Sequence, residues 1–191
     1  FLSRVSFKGK SVIEAIISLP LVLPPSVLGF YILVFLSPYS AIGSFFEEHF
    51  GIRLVFNFTG LVIASCIYSL PFMFAPLLGA FNSLPKNIIE ASYTLGKGRI
   101  TTMLKIALPN IKPSLLNAII ISFAHTLGEF GVVLIIGGSL SRETKVASIA
   151  IYEATEMLDF TTAHIYSGIM LAISFFVLFC VYFLTKKMKK D

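Results

Sequence analysis

The sequence predicts an all-α, polytopic integral-membrane helical bundle, and three observations carry that prediction: composition, the length of the apolar runs and the placement of charge. Of 191 residues, 56% are hydrophobic and only 13% charged, and the mean hydropathy is +0.88. Both lie far from the soluble globular average. A soluble core of this size could not hide several apolar runs of roughly 20 residues, whereas a helical bilayer span needs about that many. Strict apolar-polar alternation is absent and the runs exceed the roughly 10-residue strands of an outer-membrane barrel, so helices are expected to span.

Four segments qualify, at about 12–36, 55–81, 111–136 and 160–185. The connections are too short for a further domain, and neither repeats nor low-complexity linkers are present, so residues 1–191 read as one transmembrane domain. Orientation follows from Lys and Arg, because positive residues in short loops resist translocation. Arg4, Lys8 and Lys10, then Lys86, Lys97, Arg99, Lys105 and Lys112, then Lys186, Lys187, Lys189 and Lys190 place twelve of the fifteen basic residues on one side. That side is expected to be cytoplasmic, the C-terminus included. The other side receives Arg53, Arg142 and Lys145 with Glu47, Glu48, Glu143, Glu153, Glu156 and Asp159. The net charge of +5 is therefore read as membrane topology, and no nucleic-acid partner is expected.

The chain opens on Phe1-Leu2, with no Met and no short signal segment, which predicts an N-terminally truncated fragment lacking at least one upstream span. Cys66 and Cys180 fall in separate apolar spans without metal or disulfide spacing and read as packing residues.

The loop at about 82–110 is the most informative segment. Asn82 and Ser83 offer capping oxygens, Pro85 suits a first turn and Gly96 can stop a helix in the left-handed region, so 85–95 is predicted to be a short helix. On it Ile88, Ala91, Ser92 and Leu95 form one small or apolar stripe suited to a shallow groove in a partner. A second short helix is predicted over about 99–108, ending at Pro109, with Pro113 marking the bend into the third span.

Glu90-Ala91-Ser92, Gly96, and the Ile106-x-Leu108-Pro109 ending resemble the EAA loop of bacterial ATP-binding-cassette importer permeases, with Ser in place of the second Ala. The resemblance implies an importer permease fold in which the short helix is a coupling helix docked on a cytoplasmic ATPase, with Glu90 pairing to a basic residue there. It further implies two ATPase copies, which would bind the ATP and Mg, a second copy of this permease, and an extracytoplasmic oxyanion-binding protein. The chain itself would bind no cofactor, and the setting would be the bacterial cytoplasmic (inner) membrane. Leu19-Pro20-Leu21-Val22-Leu23-Pro24-Pro25 with Gly29, and Phe123-Ala124-His125-Thr126-Leu127-Gly128-Glu129-Phe130-Gly131, are similar to segments of molybdate permeases. Sulfate and thiosulfate permeases are close relatives, and tungstate stays open as a cargo.

Pro20, Pro24 and Pro25 would leave backbone carbonyls unpaired within a span, which is tolerated where protein or water can satisfy them. They either face the pore or simply shape the bundle. His125 and Glu129 are four residues apart and are expected to share a helical face. An intramembrane acid is costly and functional by default. Two readings are open: Glu129 near a gate or subunit contact, with Gly128 and Gly131 allowing close helix approach, or Glu129 as a helix-end cap. Gly137-Gly138-Ser139 is a candidate anion contact at the outer mouth.

Other motifs fail. Gly9-Lys10-Ser11 imitates the end of a phosphate-binding loop, but Arg4 stands where its first glycine should be. His49, His125 and His164 lack mutual metal spacing, and no catalytic constellation is read. Glu153 and Glu156 fall in an external amphipathic segment whose Ile149, Tyr152 and Met157 could dock it on the bundle, on a binding protein or on lipid headgroups. The competing reading of the whole is an ion-coupled carrier using His125 and Glu129 as a proton relay. A catalytically silent assembly subunit is a third.

Overall fold

The computed structural model describes the backbone of residues 7–188 and the side chains of residues 7–183. Phe1, Leu2, Arg4, Lys189 and Lys190, which enter the sequence argument, lie outside the described residues. The described chain is helical without strands.

Helix α1, Lys10–Ser18, buries none of its residues, and Lys10 pairs with Glu14 one turn on at 3.8 Å. A single 3₁₀ turn, Leu19–Leu21, leads to α2, Pro25–Leu36. The axes before and after this break differ by 114°, so the first apolar run is a sharp corner and not one straight rod. Proline chemistry explains the corner: Pro25 needs no helical donor at the first position of α2, and Pro24 pushes Leu23 away from helical geometry. Helix α3, Ala41–Phe50, is capped by the Ser40 hydroxyl, which accepts from the Gly43 amide at 2.9 Å, and ends at Gly51 with φ 66°. Gly43 lies so close to the Ser37 carbonyl that any Cβ would sit 2.0 Å from its oxygen.

The central element is α4, Phe58–Ser83, capped by Asn57 accepting from the Gly60 amide at 2.7 Å. Its 26 residues reach ~39 Å, long enough to cross a bilayer despite the internal Pro71 and Pro76. Next come α5, Lys86–Thr94; α6, Arg99–Thr102; a π-helical turn, Met103–Ala107; and α7, Leu108–Asn110. A 77° bend separates that stretch from α8, Lys112–Leu127. After a break come α9, Gly131–Gly137, then α10, Ala147–Glu156, and α11, Phe160–Met188.

Helices α4 and α8 pack along each other, α2 crosses α9, and α10 lies on α11. One core gathers Ile32, Leu61, Val132, Ile136 and Ile149 from α2, α4, α9 and α10; a smaller one joins Ala80, Leu84, Ala107 and Ile111 under the α5–α7 loop. By contrast, of residues 160–183 in α11 only Ala163 is buried within the chain. Phe175 and Phe176 stay 69% and 66% exposed, a surface for lipid tails or another subunit and not for water.

Two helices, α4 and α11, are long and apolar enough to cross a membrane, or four spans result if each bent pair counts as one. The third apolar run differs most from a continuous helix over 111–136, because it is broken between Leu127 and Gly131. Gly128 caps α8 there, its amide bonding to the Thr126 carbonyl.

Candidate functional site

The α4–α8 loop is a self-satisfied helical block. Asn82 and Ser83 do not cap α5, because α4 runs on through Ser83 and the Ser83 hydroxyl donates back to the Ala80 carbonyl at 2.9 Å. Pro85 itself occupies the N-cap position. At the other end Gly96, with φ 71°, lets its own amide reach the Tyr93 carbonyl at 2.9 Å and the Lys97 amide reach the Ser92 carbonyl at 3.1 Å. These two bonds are the Schellman arrangement, which satisfies carbonyls that a helix end otherwise orphans.

Ser92 departs from the expected outward stripe. It is 2% exposed, and its hydroxyl lies 2.8 Å from that of Thr102, which donates onward to the Gly98 carbonyl at 3.0 Å. The spacing put Ser92 beside Ile88, Ala91 and Leu95 correctly, but the fold turns that edge of α5 toward α6. Ala91 and Leu95 remain exposed, as does Glu90, whose carboxylate makes no ion pair among the described residues. Ile106 is half-buried, and Leu108 packs on the small core under the loop. Pro109 follows the π turn closely, and the Asn110 side chain donates to the Ile106 carbonyl at 2.7 Å.

The second polar locus is the α8–α9 break. Glu129 is 5% exposed, and the Ser65 hydroxyl is the side-chain group that reaches its carboxyl among the described residues. It does not share a helical face with His125, because α8 ends at Leu127 and the Glu129 amide closes a turn on the Thr126 carbonyl at 3.3 Å. His125 instead stacks on Phe72, ring centroids 3.7 Å apart, beside Tyr68. Its Nδ1 is buried without a partner, as is the Ser122 hydroxyl. Glu129 borders a cavity of about 440 Å³ with Ser65, Ser69, Thr126 and Ser148 on its wall, residues that sequence reasoning missed. Ser65 and Ser69, one turn apart in an apolar run, were the available signal.

Close backbone approach holds this region. A Cβ on Gly131 would lie 2.8 Å from the Pro25 Cβ, and one on Gly29 3.2 Å from Ile135 Cδ1. Gly128 has no such neighbour: its imagined Cβ meets nothing nearer than 3.8 Å. Pro24 is exposed at the start of α2. Past α9, the Ser139 hydroxyl is engaged by Glu153, which also pairs with Lys145. Hydrogen bonding from Lys145, then from Ser139, holds the Glu153 carboxyl below its ordinary range. Ile149 is fully buried and Tyr152 packs on Phe130, so α10 docks on the bundle, while Met157 stays exposed.

Long apolar helices and a bent corner of prolines together define a multi-pass membrane protein. The chain belongs to the family of binding-protein-dependent transport system inner membrane components, whose profile matches residues 2–190. It is 42% identical over 183 residues to the molybdenum transport system permease protein ModB of Azotobacter vinelandii, covering 95% of this chain and 80% of that one. It is 32% identical to a probable sulfate transport system permease protein, cysT, of Chlorella vulgaris, over 94% of this chain and 67% of the relative. Its fold matches a chain in the crystal structure of a bacterial alginate ABC transporter in complex with an alginate pentasaccharide-bound periplasmic protein. That match has a TM-score of 0.77 at 17% identity, covering 100% of this chain and 70% of the other.

Proposed function

We propose that this chain is the membrane-spanning permease subunit of an ATP-binding-cassette importer that moves an oxyanion, molybdate first, into the cytoplasm. What carries the cargo assignment is the 42% identity to a molybdenum permease along 95% of the chain. What supports the mechanism is the geometry of α5. A rod of nine residues is clamped at its C-terminal end by the Gly96 turn and along its inner edge by the Ser92–Thr102 contact. Such a rod transmits displacement where a loose loop would absorb it.

In this reading two copies of the chain form the pore, and an ATPase subunit receives each α5 on the outward edge carrying Glu90, Ala91 and Leu95. Closure of the ATPase pair on ATP moves both rods. Because Ala107, Ile111, Ala80 and Leu84 form one small core, the movement passes directly into the ends of α4 and α8. The spans then exchange inward-open for outward-open geometry, and a binding protein outside delivers the anion. To shift a two-state equilibrium from 1:99 to 99:1, the partners must discriminate between the states by about 5.5 kcal/mol. ATP and Mg belong to the ATPase, and the loop and the C-terminus face the cytoplasm. Pro24, Pro25, His125, Gly128, Glu129 and Gly131 form the candidate pore or gate region.

Competition uptake tests the cargo. Cells carrying the full transporter and labelled molybdate should lose uptake to unlabelled molybdate or tungstate at far lower concentration than to sulfate. Equal potency of sulfate would replace molybdate by sulfate, the reading that the cysT relative favours.

A further inference from the structure

Helix α3 carries an apolar face that the chain leaves exposed. Ile42, Phe45, Phe46 and Phe50 recur at helical spacing and fall on one side of it, while Ser44, Glu47 and Glu48 fall on the other. On the apolar side Ile42 is 37% exposed, Phe45 48%, Phe46 36% and Phe50 61%. The rings of Phe45, Phe46 and Phe50 lie 5.7, 5.8 and 6.1 Å apart, and His49 stacks on Phe45 at 4.5 Å, so the face is one preassembled aromatic patch. On the polar side Arg53 Nε donates to the Glu47 carboxylate at 2.8 Å. A contiguous apolar patch with a charged rim marks a surface that docks on something other than water.

Where α3 sits says what covers it. Its start is pinned to the end of α2: the Ser40 hydroxyl reaches the Phe35 and Ser37 carbonyls at 2.6 and 2.8 Å, and Gly43 lies against Ser37 too closely for any side chain. Its end is tied to the start of α4, because the chain turns at Gly51 and the Arg53 carbonyl accepts from the Asn57 side chain that caps α4. Both neighbours belong to apolar membrane runs, and α4 is long enough to cross. Helix α3 is therefore held at one boundary of the bilayer, on the side opposite the α5–α7 loop, since α4 separates the two. The adjoining turns are equally uncovered: Phe35 of α2 is 53% exposed and Phe58, at the first turn of α4, 63%. Lipid meets all of these surfaces at once, whereas a protein partner would have to cover the two adjoining turns as well. We propose that α3 lies in the plane of the phospholipid surface, with Ile42, Phe45, Phe46 and Phe50 immersed about 5–10 Å into the headgroup–acyl boundary and Glu47 and Glu48 in water. No Lys or Arg lies on α3, so the attraction is to the acyl boundary of any phospholipid and not to anionic headgroups. Because α3 is pinned to α2, and α2 crosses α9 where Gly131 meets Pro25, the immersed helix sets the depth of that crossing in the membrane. The assignment is independent of the cargo and of the ATPase.

The test uses the permease with its co-purified ATPase in phosphatidylcholine vesicles. The chain contains no Trp, so subtracting the unsubstituted complex isolates the emission of a new indole. In Phe46→Trp that emission should be blue-shifted, and lipid brominated at the headgroup end of its acyl chains should quench it more strongly than lipid brominated at the chain ends. Glu48→Trp, on the other side of the helix, should be quenched by aqueous iodide and hardly by either lipid. Replacing part of the phosphatidylcholine by phosphatidylglycerol should change neither result. The proposal is overturned if the Phe46→Trp indole answers to iodide alone, which places α3 in water, or is shielded from all three quenchers, which means that a second copy or another protein covers it. Strongest quenching by chain-end bromine overturns it too, since the helix would then be inserted and not interfacial. If Phe46→Trp does not assemble, Phe50→Trp gives the same readout from the same patch.

Discussion

The two ends of α8 interrupt apolar helix in opposite ways. Before it, the loop from Pro85 to Asn110 closes its own polar groups: the Schellman turn at Gly96, the Ser92–Thr102–Gly98 relay and the Asn110 side chain on the Ile106 carbonyl. After it, the break at Gly128 to Phe130 leaves the His125 Nδ1 and the Ser122 hydroxyl buried and unpartnered, and the buried Glu129 carboxyl with little besides the Ser65 hydroxyl. A polar segment that satisfies itself is free to move as a unit. One that does not is built to meet something else, because buried polar groups without partners are rare in folded proteins. In the proposed function, the first region transmits and the second belongs to the candidate gate.

Substitutions can break this contrast at graded cost. The largest effect is expected from Gly131→Val, whose Cβ would fall 2.8 Å from the Pro25 Cβ and force α9 off α2. Overpacking of this kind costs about 1–3 kcal/mol, so the unfolding midpoint of the purified permease should drop and transport should fail with it. Gly96→Val comes next. No atom lies within 4 Å of its imagined Cβ, so the penalty is the left-handed φ of 71° alone, about 1–2 kcal/mol. Uptake should fall and the midpoint should drop less than in Gly131→Val, by a few degrees, since the damage is confined to the end of an exposed rod.

Ser92→Ala sharpens the comparison further. It removes the 2.8 Å contact to Thr102 and should cost about 1 kcal/mol, read as faster amide exchange across residues 92–102. If exchange there is unchanged, the loop is not a clamped unit. The smallest effect belongs to the outer surface. Hydrogen bonding lowers the Glu153 carboxyl from its ordinary 4.5, so the stabilisation is present above that pH and fades as the pH falls through the lowered value. Glu153→Gln should flatten that acid-side slope slightly and leave uptake at neutral pH unchanged.

Helix identity was legible wherever a local signal was strong. Pro85 and Gly96 bracket α5 within a residue or two, and the apolar runs at 55–81 and 160–185 largely coincide with α4 and α11. What periodicity could not supply is direction. It grouped Ser92 with Ala91 and Leu95, but only the neighbouring Thr102 decides that Ser92 faces inward. Hydropathy likewise runs smoothly through 111–136, although a Gly-Glu pair in mid-run was a local warning of the break that separates Glu129 from His125. The cavity was hidden for another reason: its walls come from five helices far apart in sequence.

The central claim is that the outward edge of α5 is the seat of a separate ATPase, and chemical crosslinking measures it directly. In a transporter with Cys66 and Cys180 replaced by Ser, Leu95→Cys places a thiol at a position 75% exposed, at the end of that edge. A bifunctional maleimide should join it to the co-purified ATPase, with a yield that changes when ATP is bound. A cysteine there that never crosslinks to the ATPase, and that is labelled by an impermeant maleimide from outside intact cells, would contradict the account.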